Sequence, residues 1–116
     1  MFNYAKAFNS DVSLWNVASV TRMEKMFRKS PFNRNVSAWD VASVTDMQEM
    51  FSQSAFNGDV SSWDVSAVEK MTHMFSESAF NGDVSSWDLT SVTNMDNMFM
   101  GSSFNRTICG NQWKTF

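Results

Sequence analysis

Few side chains in this sequence could do chemistry, and most of those that could are scattered. There is one histidine, His73, and one cysteine, Cys109, in 116 residues. One of each permits no Cys/His zinc cluster, no intrachain disulfide and no pair of histidines on a metal. His73 shares a column with Lys25, Glu49 and Asn97 and has no partner that would make it a base, and Cys109 stands in an irregular tail. Three carboxylates are more suggestive: Asp40, Asp64 and Asp88 recur every 24 residues. Stacked at ~4.8 Å, they would repel by roughly 1 kcal/mol a pair, so something must offset them. Either each accepts a nearby backbone N–H in an Asx-type turn, or they hold a divalent cation or a basic partner. The sequons Asn35-Val36-Ser37 and Asn105-Arg106-Thr107 are no more than chance predicts for eleven asparagines among so many Ser and Thr.

The carboxylate interval belongs to an internal repeat. Phe8, Phe32, Phe56, Phe80 and Phe104 stand 24 apart, each followed by Asn: Asn9, Asn33, Asn57, Asn81 and Asn105. Trp15, Trp39, Trp63 and Trp87 keep the step, as do Val17, Val41, Val65 and Leu89, and Val20, Val44, Val68 and Val92. So do Met23, Met47, Met71 and Met95, and the pairs Met26-Phe27, Met50-Phe51, Met74-Phe75 and Met98-Phe99. Ten of the eleven Phe fall in two columns, counting Phe2 with the Met-Phe pairs, so the surplus of Phe, Met and Trp is one motif written four to five times. The repeats run at about 8–31, 32–55, 56–79 and 80–103, with partial coils at 1–7 and 104–116, all in one repeat domain of about four and a half coils.

The spacing predicts two elements per repeat. From Val12 through Trp15 to Val17 the residues are β-favouring and partly alternating, which reads as a short strand. From Thr21 the period changes: Met23, Met26 and Phe27 stand at i, i+3 and i+4, one face of a short helix. Thr21 with Glu24 and Thr45 with Gln48 read as capping boxes, Thr93 with Asp96 as a weaker one, and Glu69 with Thr72 as a reversed one. Such a unit cannot fold alone, so neighbours must share a core. That core takes the Phe before Asn, Val12, Trp15, Val17, Val20, Met23, Met26, Phe27 and their equivalents. The Asn ladder is expected to satisfy backbone groups coil after coil. Gly58 and Gly82, in Asn-Gly-Asp, are expected to allow a positive-φ turn.

The segments Ala55 to Met74 and Ala79 to Met98 carry Phe-Asn-x-Asp-Val-Ser-x-Trp-Asp followed by Met-x-x-Met, with Phe next in each case. This pattern resembles the repeat of BspA-like surface proteins, also found in Mycoplasma-type lipoproteins, and it covers the chain to about Asn105. The resemblance implies a leucine-rich-repeat-like α/β solenoid: a right-handed stack of coils, each a short parallel strand plus a short helix. It also implies surface display, adhesion and protein contact at a cell surface or outside the cell. The internal period here is 24, with only Phe2 to Phe27 giving 25, and after Asn105 the pattern breaks: Asn111 takes the Trp column and Trp113 comes late.

Function must then sit on what faces solvent. The expected binding face is the strand side, through Asp40, Asp64, Asp88, Ser62 and Ser86. Residues 1–34 carry six bases and two acids, a net of +4, and residues 35–116 three bases and ten acids, a net of −7. Charge thus runs along the axis, and the acidic remainder argues against nucleic acid. At the ends, Phe2, Tyr4, Phe8, Trp113 and Phe116 are candidate contacts for end-to-end association. Met1 to Asp11 lack the basic start and apolar stretch of a signal peptide, so the chain either stays where it is made or continues upstream. No apolar run approaches the roughly 18 residues of a membrane span. The expectation is a non-enzymatic module for protein or cell-surface contact, with no cofactor. The alternative is an assembly protein that stacks end to end or serves in a larger complex.

Overall fold

A computed structural model describes residues 11–105. In it the coils stack with the 24-residue register, but their elements are not those the spacing predicts. Where a helix was expected, from Met23 to Ser30, the amides of Met23, Lys25, Phe27 and Lys29 donate to the carbonyls of Asp46, Gln48, Met50 and Ser52 in the next coil, at 2.8–2.9 Å. The amides of Met26, Arg28 and Ser30 instead reach back three residues, to Met23, Lys25 and Phe27, at 3.2–3.3 Å. The segment is therefore a chain of β-turns laid against its neighbour, and the same pattern recurs from Met47 and from Met71.

The turns require an unusual backbone. Lys25 and Lys29 have φ of 57° and 58°, Glu49 and Gln53 54° and 55°, His73 and Glu77 55° and 53°, and Asn97 56°. They fall in two columns, Lys25, Glu49, His73 and Asn97 in the first and Lys29, Gln53 and Glu77 in the second, which Gly101, with φ 70°, completes. A left-handed residue third in a turn is the type II geometry, which side chains resist by roughly 1–2 kcal/mol. The inter-coil bonds made on either side, at about 1 kcal/mol net apiece, offset it.

The expected strand is also absent. The amides of Trp15, Trp39, Trp63 and Trp87 close turns on Val12, Val36, Val60 and Val84, and Val20, Val44, Val68 and Val92 close turns on Val17, Val41, Val65 and Leu89. Among the described residues there is no α-helix, and β-pairing is confined to single-residue parallel bridges joining Arg22, Asp46, Lys70 and Asn94. The strand-plus-helix α/β solenoid and its leucine-rich-repeat-like sheet are thus overturned. The Thr residues cap nothing: Thr45 Oγ1 donates to the Thr21 carbonyl and Thr93 Oγ1 to that of Glu69, both across coils. Gly58 and Gly82 do not have positive φ. A Cβ there would stand 2.8 and 2.7 Å from the Phe56 and Phe80 rings, so close approach explains them better than turn geometry, although Arg34 fills the same column one coil earlier.

The core is built from aromatic columns. Phe27, Phe51, Phe75 and Phe99 stack with centroids 5.6–5.7 Å apart, and Phe32, Phe56, Phe80 and Phe104 at 6.2–6.3 Å. Within a coil the two columns also stack, as Phe51 on Phe56 at 4.1 Å. Trp39, Trp63, Met47, Met50, Met71, Met74 and Trp87 are buried with them. Each buried indole N–H finds a partner in the coil before: Trp39, Trp63 and Trp87 donate to the carbonyls of Val12, Val36 and Val60 at 2.9 Å. That removes the penalty of a dry polar group. Trp15 and Val20, expected inside, are half-exposed at the first described level, as Phe104 is at the last.

Two outcomes test this architecture. Phe51→Ala, which removes a ring packed against Phe27, Phe56 and Phe75, should cost about 3–5 kcal/mol in urea unfolding, a large part of a domain's total. The left-handed columns should respond asymmetrically: G101A should destabilise by about 1 kcal/mol, whereas Glu77→Gly should be neutral or stabilising. Equal losses for the two would speak against the left-handed turns.

Candidate interaction surface

Two columns of Asx turns shape the exposed side that carries the predicted face. In one, Asn16, Asp40, Asp64 and Asp88 accept the amides of Ala18, Ala42, Ser66 and Thr90 through Oδ1, at 3.0–3.1 Å. In the other, Asp11, Asn35, Asp59 and Asp83 accept the amides of Ser13, Ser37, Ser61 and Ser85, each at 2.9 Å. Hydroxyls add a second bond to the same oxygen: Ser61 to Asp59 at 2.7 Å, Ser85 to Asp83 at 2.7 Å, Ser66 to Asp64 at 2.6 Å, and Thr90 to Asp88. The Asx-turn account of Asp40, Asp64 and Asp88 is therefore the one the geometry supplies. Ser62 and Ser86 donate across coils, to the carbonyls of Ser37 and Ser61.

At four of these carboxylates the bonds favour the charged form. The Ser61, Ser66 and Thr90 hydroxyls, and then their backbone N–H groups, hold Asp59, Asp64 and Asp88 below the usual carboxylate range. The neighbouring carboxylates of Asp83 and Asp88 push Asp59 and Asp64 weakly the other way. Asp11 is lowered by the Ser13 backbone N–H and then its hydroxyl, with help from Arg34. Among the described residues no group of three His, Cys, Asp or Glu side chains is arranged to hold a metal ion.

The Asn ladder lies on the surface. Asn33, Asn57 and Asn81 each accept, through Oδ1, the backbone N–H of the Asn one coil later, at 2.8, 2.7 and 2.9 Å. Asn9, and the proposed end contacts Phe2, Tyr4, Phe8, Trp113 and Phe116, lie outside the described residues. His73 sits in a left-handed turn position, in a groove with Arg28, Glu49, Gln53 and Glu77. Arg28 Nε lies 2.9 Å from Glu49, and Arg22 pairs with Glu24.

Two features escape the motif as first read. Asp59 and Asp83 form a second acidic column beside the first. Ser30, Ser54, Ser78 and Ser102 turn the corner between the two Phe columns. Ser54 Oγ donates to the Phe51 carbonyl at 2.7 Å and accepts the Phe56 amide, and Ser78 does the same between Phe75 and Phe80. Ser52 and Ser76 are buried and bonded to each other at 2.9 Å. The 24-residue recurrence of Ser was the available signal.

With this repeat geometry in place, one comparison with known proteins names a family. Residues 1–113 match the family described as Mycoplasma protein of unknown function, DUF285, and the chain belongs to it. No curated protein and no solved structure matches the chain. Among the described residues no helix is long and apolar enough to cross a membrane.

The lowered carboxylates set a pH dependence. Depressed in the fold, they contribute stability that is complete above the unfolded carboxylate pKa and lost as pH falls through the folded values, so unfolding midpoints should drop below about pH 4. The double variant Ser61→Ala, Ser66→Ala removes two hydroxyl donors and should flatten that acid loss. A denaturation series in which wild type and variant lose stability in parallel would show the hydroxyls are not its source.

Proposed function

We propose that the chain is a non-enzymatic repeat module that presents its Asx-turn face to a protein partner or a cell surface, in the manner of the BspA-like surface proteins it resembles. One observation carries the reading. Positions 11–18, 35–42, 59–66 and 83–90 hold six carboxylates, Asp11, Asp40, Asp59, Asp64, Asp83 and Asp88, and no Lys or Arg. The turn bonds fix those oxygens in register, and at Asp11, Asp59, Asp64 and Asp88 they favour the ionised form, so the face is an ordered array of negative charge with hydroxyls between. Such an array suits a partner with basic side chains at matching intervals, and its contribution weakens with salt. The coils repeat nearly the same side chains, which suits display across several levels better than assembly of one nucleophile, base and oxyanion donor.

The chain itself supplies the control for a test. Asn16 and Asn35 make the same Asx turns as their acidic counterparts, so Asp→Asn removes charge and keeps the turn. The variant Asp40→Asn, Asp64→Asn, Asp88→Asn should melt like wild type. Its binding to cultured cell surfaces and to immobilised basic proteins, measured with labelled chain, should fall several-fold, as wild-type binding should in high salt. A folded triple variant that binds as well as wild type removes this face from the reading.

A further inference from the structure

We propose that Asn57 and Asn81 are sites of self-modification, where the folded chain converts asparagine to aspartate and isoaspartate without an enzyme. This goes beyond the display reading and does not depend on it. Each residue is followed by glycine, in Asn57-Gly58 and Asn81-Gly82, and each is bonded through the Asn ladder to a described coil on either side.

The chemistry needs only water as a co-reactant. The glycine nitrogen gives up its proton and attacks Cγ of the asparagine side chain. A nitrogen–Cγ bond forms, the Cγ–Nδ2 bond breaks, and the amide leaves with a proton as ammonia. Water then opens the resulting succinimide ring at one or other carbonyl, giving aspartate or isoaspartate with no change of oxidation state. A side chain on the following residue would screen the attacking nitrogen, and glycine has none.

The fold adds to what the dipeptides alone would do. Asn57 Oδ1 accepts the Asn81 N–H at 2.7 Å, and Asn81 Oδ1 accepts that of Asn105 at 2.9 Å. Those donors face the oxygen that gathers negative charge as the nitrogen adds to Cγ, which is the work of an oxyanion donor. Among the described residues neither the Gly58 nor the Gly82 amide makes a hydrogen bond, so no bond must break to free the nucleophile. Both dipeptides line one open groove of about 400 Å³, together with Asp59, Ser61 and Asp83, and the groove admits water. The ladder also contains its own control: Asn33 accepts the Asn57 N–H at 2.8 Å in the same column but is followed by Arg34.

The two products act differently on the stack. Aspartate keeps an oxygen for the next Asn amide and adds charge beside Asp59 and Asp83. Isoaspartate routes the backbone through the former side-chain carbon, lengthening a circuit whose register the inter-coil bonds fix.

Incubating the folded wild-type chain in heavy-oxygen water, at physiological temperature and mildly alkaline pH, tests this. Peptide mass spectrometry should find heavy oxygen entering at Asn57 and Asn81 several-fold faster than at Asn33. Ion exchange should show the net charge moving from −3 through −4 to −5, one step per converted amide. The same chain unfolded in urea gives the rate of the dipeptides without the ladder, and the folded chain should convert at least as fast. A folded chain that resists while the unfolded one converts, or one in which Asn33 keeps pace with Asn57 and Asn81, would overturn the proposal.

Discussion

The Asp46 carbonyl takes the Met23 amide, the Lys70 carbonyl takes the Met47 amide and the Asn94 carbonyl takes the Met71 amide, each at 2.9 Å. The rest of the structure depends on that repeated pairing, because it fixes how many residues one circuit contains. With the count held at 24, a Phe returns beneath a Phe, a Trp beneath a Trp, and an Asn side chain beneath the next Asn amide. Were one coil longer by a residue, the ladder, the ring columns and the surface Asn bonds would lose register together.

The pairing also accounts for the least expected part of the backbone. A turn that aims its alternate amides at a neighbour needs left-handed residues, and here Lys, Glu, Gln and His accept that conformation. No isolated repeat would bear the cost. It is tolerable because the same turns bury Met and Phe from both sides, with indole N–H groups and Ser hydroxyls satisfying the polar atoms left inside. The fold is cooperative between coils and weak within one, as expected of stacked repeats.

Much of this was legible in the sequence. The Phe, Trp, Val and Met columns identify the core, and all of Phe32, Phe56, Phe80, Phe51 and Phe75 are fully buried. The elements were not legible, for a specific reason. Met23, Met26 and Phe27 share a face in a helix, but a run of turns with left-handed Lys25 and Lys29 gives the same spacing, and Lys has no preference that would reveal it. Only Asn97 and Gly101, one in each column, hint at positive φ. Likewise the Val-Ser-x-Trp-Asp-Val stretch looks alternating because two successive turns also place Val and Trp inward. On the surface, Asp40, Asp64 and Asp88 were visible as a column, whereas Asp59 and Asp83 were hidden inside the motif that carries them.

The central claim is that coils are joined by amide-to-carbonyl bonds 23 residues forward, with no helix in between. Scalar couplings measured by NMR across hydrogen bonds report donor and acceptor directly. The account predicts couplings from the Met47 nitrogen to the Lys70 carbonyl carbon, from Glu49 to Thr72 and from Phe51 to Met74. Couplings from these same amides to carbonyls four residues earlier in their own coil would contradict it.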